Sequence, residues 1–189
     1  MSTPAELVHP PRTFKAKVCL LGARGVGKTS LVRRFVLNTF DDRYVATIGT
    51  KVSKKEIPVQ SPSETPWSVD MTVWDIMGEK GFRELLKEAY FFGAQGLLAV
   101  ADVTRHETIE DLDDWIEGAL RGIGNVPVVV AANKTDLLAE GKGLPEALQR
   151  YVRRIGADCV PTSAKAGLGV EACFRALAGH ITADRTAVV

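Results

Sequence analysis

The residues with the clearest capacity for chemistry are 22–29, whose sequence Gly-Ala-Arg-Gly-Val-Gly-Lys-Thr matches the phosphate-binding pattern G-x-x-x-x-G-K-[ST]. An apolar run precedes the pattern and a helical run follows it, which is the strand–loop–helix context that the pattern requires. Glycines let the backbone wrap around an anion, and a helix N-terminus directs free N–H groups at it. Lys28 would contact the outer phosphates, and Thr29 would bind Mg²⁺. The expected phosphate contacts are Gly22, Arg24, Gly25, Val26, Gly27, Lys28, Thr29 and Ser30.

A second candidate group is Asp75-Ile-Met-Gly78, which ends a predicted strand. A carboxylate at this place would hold Mg²⁺, usually through water, as the acidic partner of the phosphate-binding loop. Because Gly78 has no side chain, its backbone N–H can approach a terminal phosphate. An Asp beside a turn also fits this short pattern, so the assignment depends on residues 22–29.

Residues 133–136, Asn-Lys-Thr-Asp, follow an apolar predicted strand and suit recognition of a purine base. The carboxylate of Asp136 can accept two hydrogen bonds from the adjacent N1–H and N2–H₂ donors of guanine. Adenine lacks this pair of donors and would leave buried polar groups unpaired. The aliphatic stem of Lys134 would cover one face of the base, and Asn133 would link this loop to its neighbours.

The last loop with candidate contacts is residues 162–165, Thr-Ser-Ala-Lys, which follows a short predicted strand. The backbone N–H of Ala164 would donate to the carbonyl oxygen of the base. Alone this tetrapeptide indicates little, but its distance after residues 133–136 makes it a strong signal. The predicted base contacts are Asn133, Lys134, Asp136, Ser163, Ala164 and Lys165.

Alternating apolar strands and amphipathic helices must position these loops. The predicted strands are residues 17–21, 51–59, 67–75, 96–102, 126–132 and 158–161, and the predicted helices are 28–38, 82–92, one opening at Thr108, 144–155 and 170–181. This order predicts an α/β fold with a six-stranded, mostly parallel sheet, one antiparallel edge strand and helices on both faces. Ligands of such sheets bind at the carboxyl ends of the strands. We expect residues 1–14 to be a flexible extension, 15–182 the domain and 183–189 a short tail.

Composition excludes several other classes of protein. Lys and Arg number 24 against 23 Asp and Glu, which is too balanced for a protein that coats nucleic acid. Cys19, Cys159 and Cys173 form no C-x-x-C pair, which argues against zinc or a disulfide framework and for a reducing compartment. The apolar stretches are too short to span a bilayer.

Together the motifs resemble the Ras superfamily of small GTPases, and their pattern is most similar to the Rab branch. They occur in the family's order at residues 22–29, Thr47, residues 75–78, residues 133–136 and residues 163–165. The likeness covers about residues 15–182. It implies a P-loop G domain that binds GTP or GDP with Mg²⁺, and partners that are effector, exchange-factor and GTPase-activating proteins.

The resemblance also implies roles by position. Thr47 would reach Mg²⁺ and the terminal phosphate, Phe40 would pack against guanine, and Tyr44 would close over the phosphates. The implied metal ligands are Thr29, Thr47 and Asp75. Residues 39–50 would be switch I and residues 76–92 switch II, the two segments through which partners would bind.

The chain departs from this family at the position of the glutamine that orients the attacking water, where it has Glu79. An ionised glutamate accepts hydrogen bonds but cannot donate them, and its charge would repel the terminal phosphate. We therefore expect slow hydrolysis unless Glu79 is neutralised. Arg24 could pair with Glu79 or contact the phosphates in cis. The expected catalytic group is Glu79, Arg24, Thr47 and Gly78.

Neither a C-terminal prenylation cysteine nor a glycine after the initiator Met occurs in the sequence. We therefore expect no lipid anchor, a cytoplasmic protein, and membrane recruitment only through partners. The leading hypothesis is a GTP/GDP switch with GTPase activity. A GTP-dependent binding module with negligible hydrolysis is the second, and an ATP-using enzyme such as a kinase is the third. Asp136 and residues 163–165 argue against the third.

Overall fold

A computed structural model of the protein describes residues 12–43, 46–59, 67–79 and 89–186. The described strands are β1 (Arg12–Leu21), β2 (Thr50–Val59), β3 (Trp67–Ile76), β4 (Gly96–Asp102), β5 (Val128–Asn133) and β6 (Asp158–Pro161). They form one sheet in the order β2-β3-β1-β4-β5-β6. Only the β2–β3 pair of this described sheet is antiparallel, which confirms the predicted mixed sheet with an antiparallel edge strand.

The described helices cover both faces of the sheet, as predicted. They are α1 (Lys28–Leu37), α2 (Glu107–Glu110), α3 (Leu112–Ile123), α4 (Glu146–Ile155) and α5 (Val170–Thr186). On one face α1 and α5 meet, where the rings of Phe35 and Phe174 stack with centroids 3.9 Å apart. On the other face α3 and α4 bury Trp115 and Leu148 against the sheet. Burial of this apolar surface is the main force that holds the layers together.

Strand β1 begins five residues before the predicted start at residue 17, because residues 12–16 pair in parallel register with residues 67–71 of β3. Its first half alternates polar residues with Phe14 and Ala16, which lie on the core face. The prediction that residues 1–14 form a flexible extension is therefore wrong for residues 12–14. Helix α5 likewise continues past the predicted domain boundary at 182, through Thr186, because no Gly or Pro interrupts that stretch.

The helix predicted to open at Thr108 begins one residue earlier, at Glu107. Thr108 is fully buried inside α2 rather than capping it, and its hydroxyl donates to the carbonyl of Arg105 at 2.8 Å. The backbone N–H of Asp102 donates to the same hydroxyl at 3.0 Å, so Thr108 fastens α2 to the end of β4.

The predicted helix 82–92 lies mostly outside the described residues; its residues 89–91 are helical. Strand β5 runs two residues later than predicted at its start and one later at its end, so it ends on Asn133. In the described part of the chain, no helix is both long and apolar enough to cross a membrane.

Candidate functional site

A cleft of about 1000 Å³ lies at the carboxyl ends of the strands, where the loops after β1, β3, β5 and β6 converge. Most of the predicted site residues line it. They are Arg24, Gly25, Gly27, Lys28, Thr29, Ser30, Phe40, Thr47, Asp75, Gly78, Glu79, Asn133, Lys134, Asp136, Ala164 and Lys165. Gly22, Val26 and Ser163 are buried behind this surface, and Tyr44 lies outside the described residues.

The phosphate-binding loop holds a buried cation. The ammonium of Lys28 donates to the carbonyls of Gly22 at 2.6 Å and Ala23 at 2.9 Å, and the residue is 6% exposed. Burial lowers the pKa of Lys28 to about 8, with Asp75 opposing this shift. Gly27 precedes α1 with φ of 102°, and a Cβ there would meet the amide nitrogen of Asn133 at 2.3 Å. The turn therefore requires glycine, and it presses the loop against the base-recognition side.

Thr29, Thr47 and Asp75 come together beside Lys28. The hydroxyl of Thr29 donates to Oδ2 of Asp75 at 2.5 Å and lies 2.8 Å from the hydroxyl of Thr47. The other oxygen of Asp75, Oδ1, is buried and has no hydrogen-bond partner among the described residues. Burial raises the pKa of Asp75, while the Thr29 hydroxyl and Lys28 act against it.

This cluster fits Mg²⁺ well. A free carboxylate oxygen and two hydroxyls are hard oxygen donors, and Mg²⁺ in proteins is usually completed by phosphate oxygens and water. Within the described residues no group of three or more His, Cys, Asp and Glu side chains could hold a metal alone. The site is therefore suited to a Mg²⁺ shared with a phosphate chain, not to a metal held by protein carboxylates.

The loop after β3 lies directly on the phosphate-binding loop. A Cβ on Gly78 would come 2.5 Å from Nζ of Lys28 and 2.7 Å from the carbonyl oxygen of Ala23, so a side chain does not fit there. The next residue, Glu79, faces Arg24 with 4.0 Å between Oε2 and Nη1. Both side chains are more than half exposed, at 54% and 59%, so the predicted contact exists as a loose, solvated ion pair.

Asn133 is the centre of the base-recognition side. Its amide nitrogen donates to the carbonyl of Val26 at 2.8 Å, which joins β5 to the phosphate-binding loop. Its oxygen accepts from the hydroxyl of Thr162 at 3.2 Å and from the N–H of Ala164 at 3.3 Å. The linking role expected of Asn133 is thus visible in its contacts. The bond from Ala164 is slightly longer than the usual range.

Asp136 and Lys134 are held in place by neighbours. Oδ1 of Asp136 accepts a hydrogen bond from the hydroxyl of Ser163 at 2.6 Å, which fixes the carboxylate at the edge of the cleft. Lys134 has a left-handed backbone, with φ of 69°, and its ammonium lies 2.7 Å from Oδ2 of Asp102. Lys134 also lines the cleft.

Asp102 and Arg105 were not predicted as site residues. Asp102 is 1% exposed at the end of β4, and burial opposes its ionisation. Hydrogen bonds from Lys134, Thr104 and Arg105 outweigh that effect and lower the pKa of Asp102. Arg105 also donates to the carbonyl of Arg24 at 3.0 Å. The sequence did contain one indication of this network. Asp102 ends an apolar strand, and that strand lies along the chain between two loops predicted to bind the ligand.

Comparisons with known proteins agree with this geometry. The sequence profile of the Ras family matches residues 17–183. Ras-related protein Rab-22A of Canis lupus familiaris is 35% identical over 159 residues, which cover 84% of this chain and 79% of the relative. Ras-related protein Rab-13 of Mesocricetus auratus is 30% identical over 166 residues, covering 87% and 79%, and GTP-binding protein YPTM2 of Zea mays is 29% identical over 181 residues, covering 95% and 86%.

The fold and the site define a P-loop nucleotide-binding protein. The chain belongs to the Ras family of small GTPases and has a Rab-like pattern. It is therefore a small GTP-binding switch protein, for which GTP, GDP and Mg²⁺ are the expected ligands and effector, exchange-factor and GTPase-activating proteins the expected partners.

Proposed function

We propose that the protein is a GTP/GDP switch whose own GTP hydrolysis is slow. The observation that carries this proposal is the exposed carboxylate of Glu79 next to Gly78, with Arg24 no nearer than 4.0 Å. An ion pair this long and this solvated contributes little, so Arg24 offsets the carboxylate of Glu79 only weakly. A charged carboxylate cannot donate a hydrogen bond to the phosphate while it orients water, and it repels the phosphate oxygens.

The other residues of the cleft have separate tasks in this proposal. Lys28 and the N–H groups at the start of α1 would bind the phosphate chain and stabilise charge that develops on it. Mg²⁺, held by Thr29, Thr47 and Asp75, would neutralise part of that charge when bound. Asp136 and Ala164 would select guanine.

The two switch segments are linked in the structure, which supports coupling of the phosphate state to partner binding. The N–H of Met77 donates to the carbonyl of Gly49 at 3.0 Å, and Thr50 pairs with Ile76 at the ends of β2 and β3. Ile48 of switch I is 92% exposed. Loss of the terminal phosphate would release Thr47 and Gly78, and with them the surface that switch I and switch II offer to partners.

Hydrolysis under single-turnover conditions tests the proposal. Glu79→Gln should raise the rate about tenfold, since general positioning effects on proton transfer are of that order or larger. Arg24→Ala should lower the wild-type rate if the arginine partly neutralises Glu79. Glu117→Gln is the matched control, because Glu117 is an exposed glutamate on α3 that pairs with Arg121 outside the cleft.

The outcomes distinguish a slow GTPase switch from a GTP-dependent binding module. A rate for Glu79→Gln at or below the wild-type rate would contradict slow hydrolysis through Glu79. Wild-type protein that retains GTP without releasing phosphate over hours, while binding it tightly, would instead favour the GTP-dependent binding module. The exposed carboxylate of Glu79 is the observation that supports that second function.

We also propose a cytoplasmic location and no nucleic-acid partner. Cys19, Cys159 and Cys173 are all free thiols, which suits a reducing compartment. The net charge of +1 gives no electrostatic basis for binding a polyanion.

A further inference from the structure

Arg34 is a residue of α1 that bonds to residues 162–165, here called the base-recognition loop. Its Nε donates to the carbonyl of Ala164 at 3.0 Å, and its Nη2 donates to the carbonyl of Lys165 at 2.9 Å. The planar guanidinium thus spans two consecutive peptide carbonyls, a geometry that the single ammonium of a lysine cannot reproduce. The neighbouring Arg33 points elsewhere, with Nη1 3.7 Å from Asp41.

The third nitrogen of Arg34 bonds to the end of its own helix. Nη1 donates to the backbone carbonyl of Asn38 at 3.1 Å and lies 3.3 Å from its side-chain oxygen. Asn38 ends α1 in a left-handed conformation, with φ of 53°, immediately before switch I. One side chain therefore joins the end of α1 to the base-recognition loop.

The backbone is anchored on both sides of the Ala164 N–H. On its N-terminal side, the N–H of Ser163 donates to the carbonyl of Leu168 at 2.9 Å. On its C-terminal side, Arg34 holds the carbonyls of Ala164 and Lys165. The planar peptide unit that carries the Ala164 N–H lies between these anchored units, so its rotation is limited by the neighbours on both sides. That N–H makes only a long contact of 3.3 Å to Asn133, so it can also face a ligand.

We propose that Arg34 is a positioning residue for guanine recognition: it orients the Ala164 N–H towards the C6 carbonyl of the base. This inference rests on the guanine-nucleotide site proposed above. An N–H that is already oriented loses little conformational freedom when the base binds. The entropy cost of binding is therefore smaller and the affinity is higher. Arg34 itself does not line the cleft.

The test compares three diphosphates that differ at the base. GDP and inosine diphosphate both carry a C6 carbonyl, whereas 2-aminopurine riboside diphosphate does not. Arg34→Ala should raise the dissociation constants of GDP and inosine diphosphate equally, by about tenfold, the typical size of one well-formed hydrogen bond to a charged or oriented group. The constant for the 2-aminopurine nucleotide should change by less than about twofold, the usual range for substitutions away from a contact.

Arg175→Ala is the matched control. Arg175 is also a helical arginine that donates to a backbone carbonyl, that of Pro58 at 3.1 Å, but it lies outside the cleft. The Arg175→Ala variant should keep all three dissociation constants within about twofold of the wild-type values. Arg34→Lys repeats the test should Arg34→Ala fail to fold, because lysine keeps the charge and cannot hold both carbonyls.

Two results would overturn the proposal. An equal loss for GDP and for the 2-aminopurine nucleotide would show that Arg34 supports the fold of the site and not the carbonyl contact. No loss for GDP would show that the loop is positioned without it. Failure of the proposed function is distinguishable, since wild-type protein would then bind ADP as well as GDP.

Discussion

The two ends of the nucleotide cleft are built differently. At the base-recognition end, Asn133 makes three hydrogen bonds to Val26, Thr162 and Ala164, and the carboxylate of Asp136 accepts from Ser163. At the terminal-phosphate end, Arg24 and Glu79 face each other across 4.0 Å, and both side chains are more than half exposed. The Asn133 network at the first end is buried, whereas the Arg24–Glu79 contact at the second end is solvated.

This difference matches what each end has to recognise. The base stays the same through a cycle of binding and hydrolysis, so its contacts gain from being oriented in advance. The number of phosphates changes, and a segment can respond to one phosphate only if its two arrangements differ by a small free energy. Thr47, whose hydroxyl lies 2.8 Å from that of Thr29, is followed by Ile48, which is 92% exposed.

The largest expected effect comes from breaking the base-recognition end. Asp136→Asn should weaken binding of GDP at least about a hundredfold, because two hydrogen bonds to a charged acceptor are lost or reversed. A non-hydrolysable GTP analogue should lose affinity by the same factor, since its base is identical. Displacement of a fluorescent nucleotide measures both constants.

The control for this change is Asp158→Asn, because Asp158 is exposed and pairs with His180 at 2.7 Å outside the cleft. Losses for GDP and for the GTP analogue that differ by more than about threefold would contradict a base-recognition end that is independent of phosphate number.

A smaller and selective effect is expected at the other end. Thr47→Ala should weaken binding of the non-hydrolysable GTP analogue about tenfold, because the hydroxyl near Thr29 and Asp75 is lost from the Mg²⁺ and terminal-phosphate side. GDP binding should stay within about twofold. Thr182→Ala removes a hydroxyl that donates to the carbonyls of Ala178 and Gly179 in α5, away from the cleft, and should change neither constant. If Thr47→Ala weakened binding of GDP and of the GTP analogue equally, the terminal-phosphate end would not be selective for the number of phosphates.

Much of this comparison follows from the sequence because the ligand-contacting residues are local motifs. Residues 22–29 and 133–136 combine fixed spacing with a preceding apolar strand, and parallel strands bring their carboxyl ends to one edge. The order of elements therefore predicted both the sheet and the position of the cleft.

The supporting residues could not be found in this way. Arg34 contacts a loop 130 residues further along the chain, and Arg105 contacts Arg24 from 81 residues away. A long, flexible side chain selects its partners by distance in the folded state, which no spacing in the sequence encodes. The first residues of β1 were missed for a different reason: their alternation of polar residues with Phe14 and Ala16 lacks the continuous apolar character expected of a central strand.

The smallest expected effect concerns how much the terminal-phosphate end contributes to the free energy of unfolding. Arg24→Ala should lower the free energy of unfolding of the nucleotide-free protein by less than about 0.5 kcal/mol, because exposed ion pairs at this distance contribute little. For a chain of this size the shift in Tm should be below about 2 °C by thermal denaturation. Arg150→Ala, which breaks an exposed pair with Glu146 on α4, is the control and should behave alike. A loss above about 1 kcal/mol for Arg24→Ala alone would show that the terminal-phosphate end is held as firmly as the base-recognition end, and the contrast between them would fail.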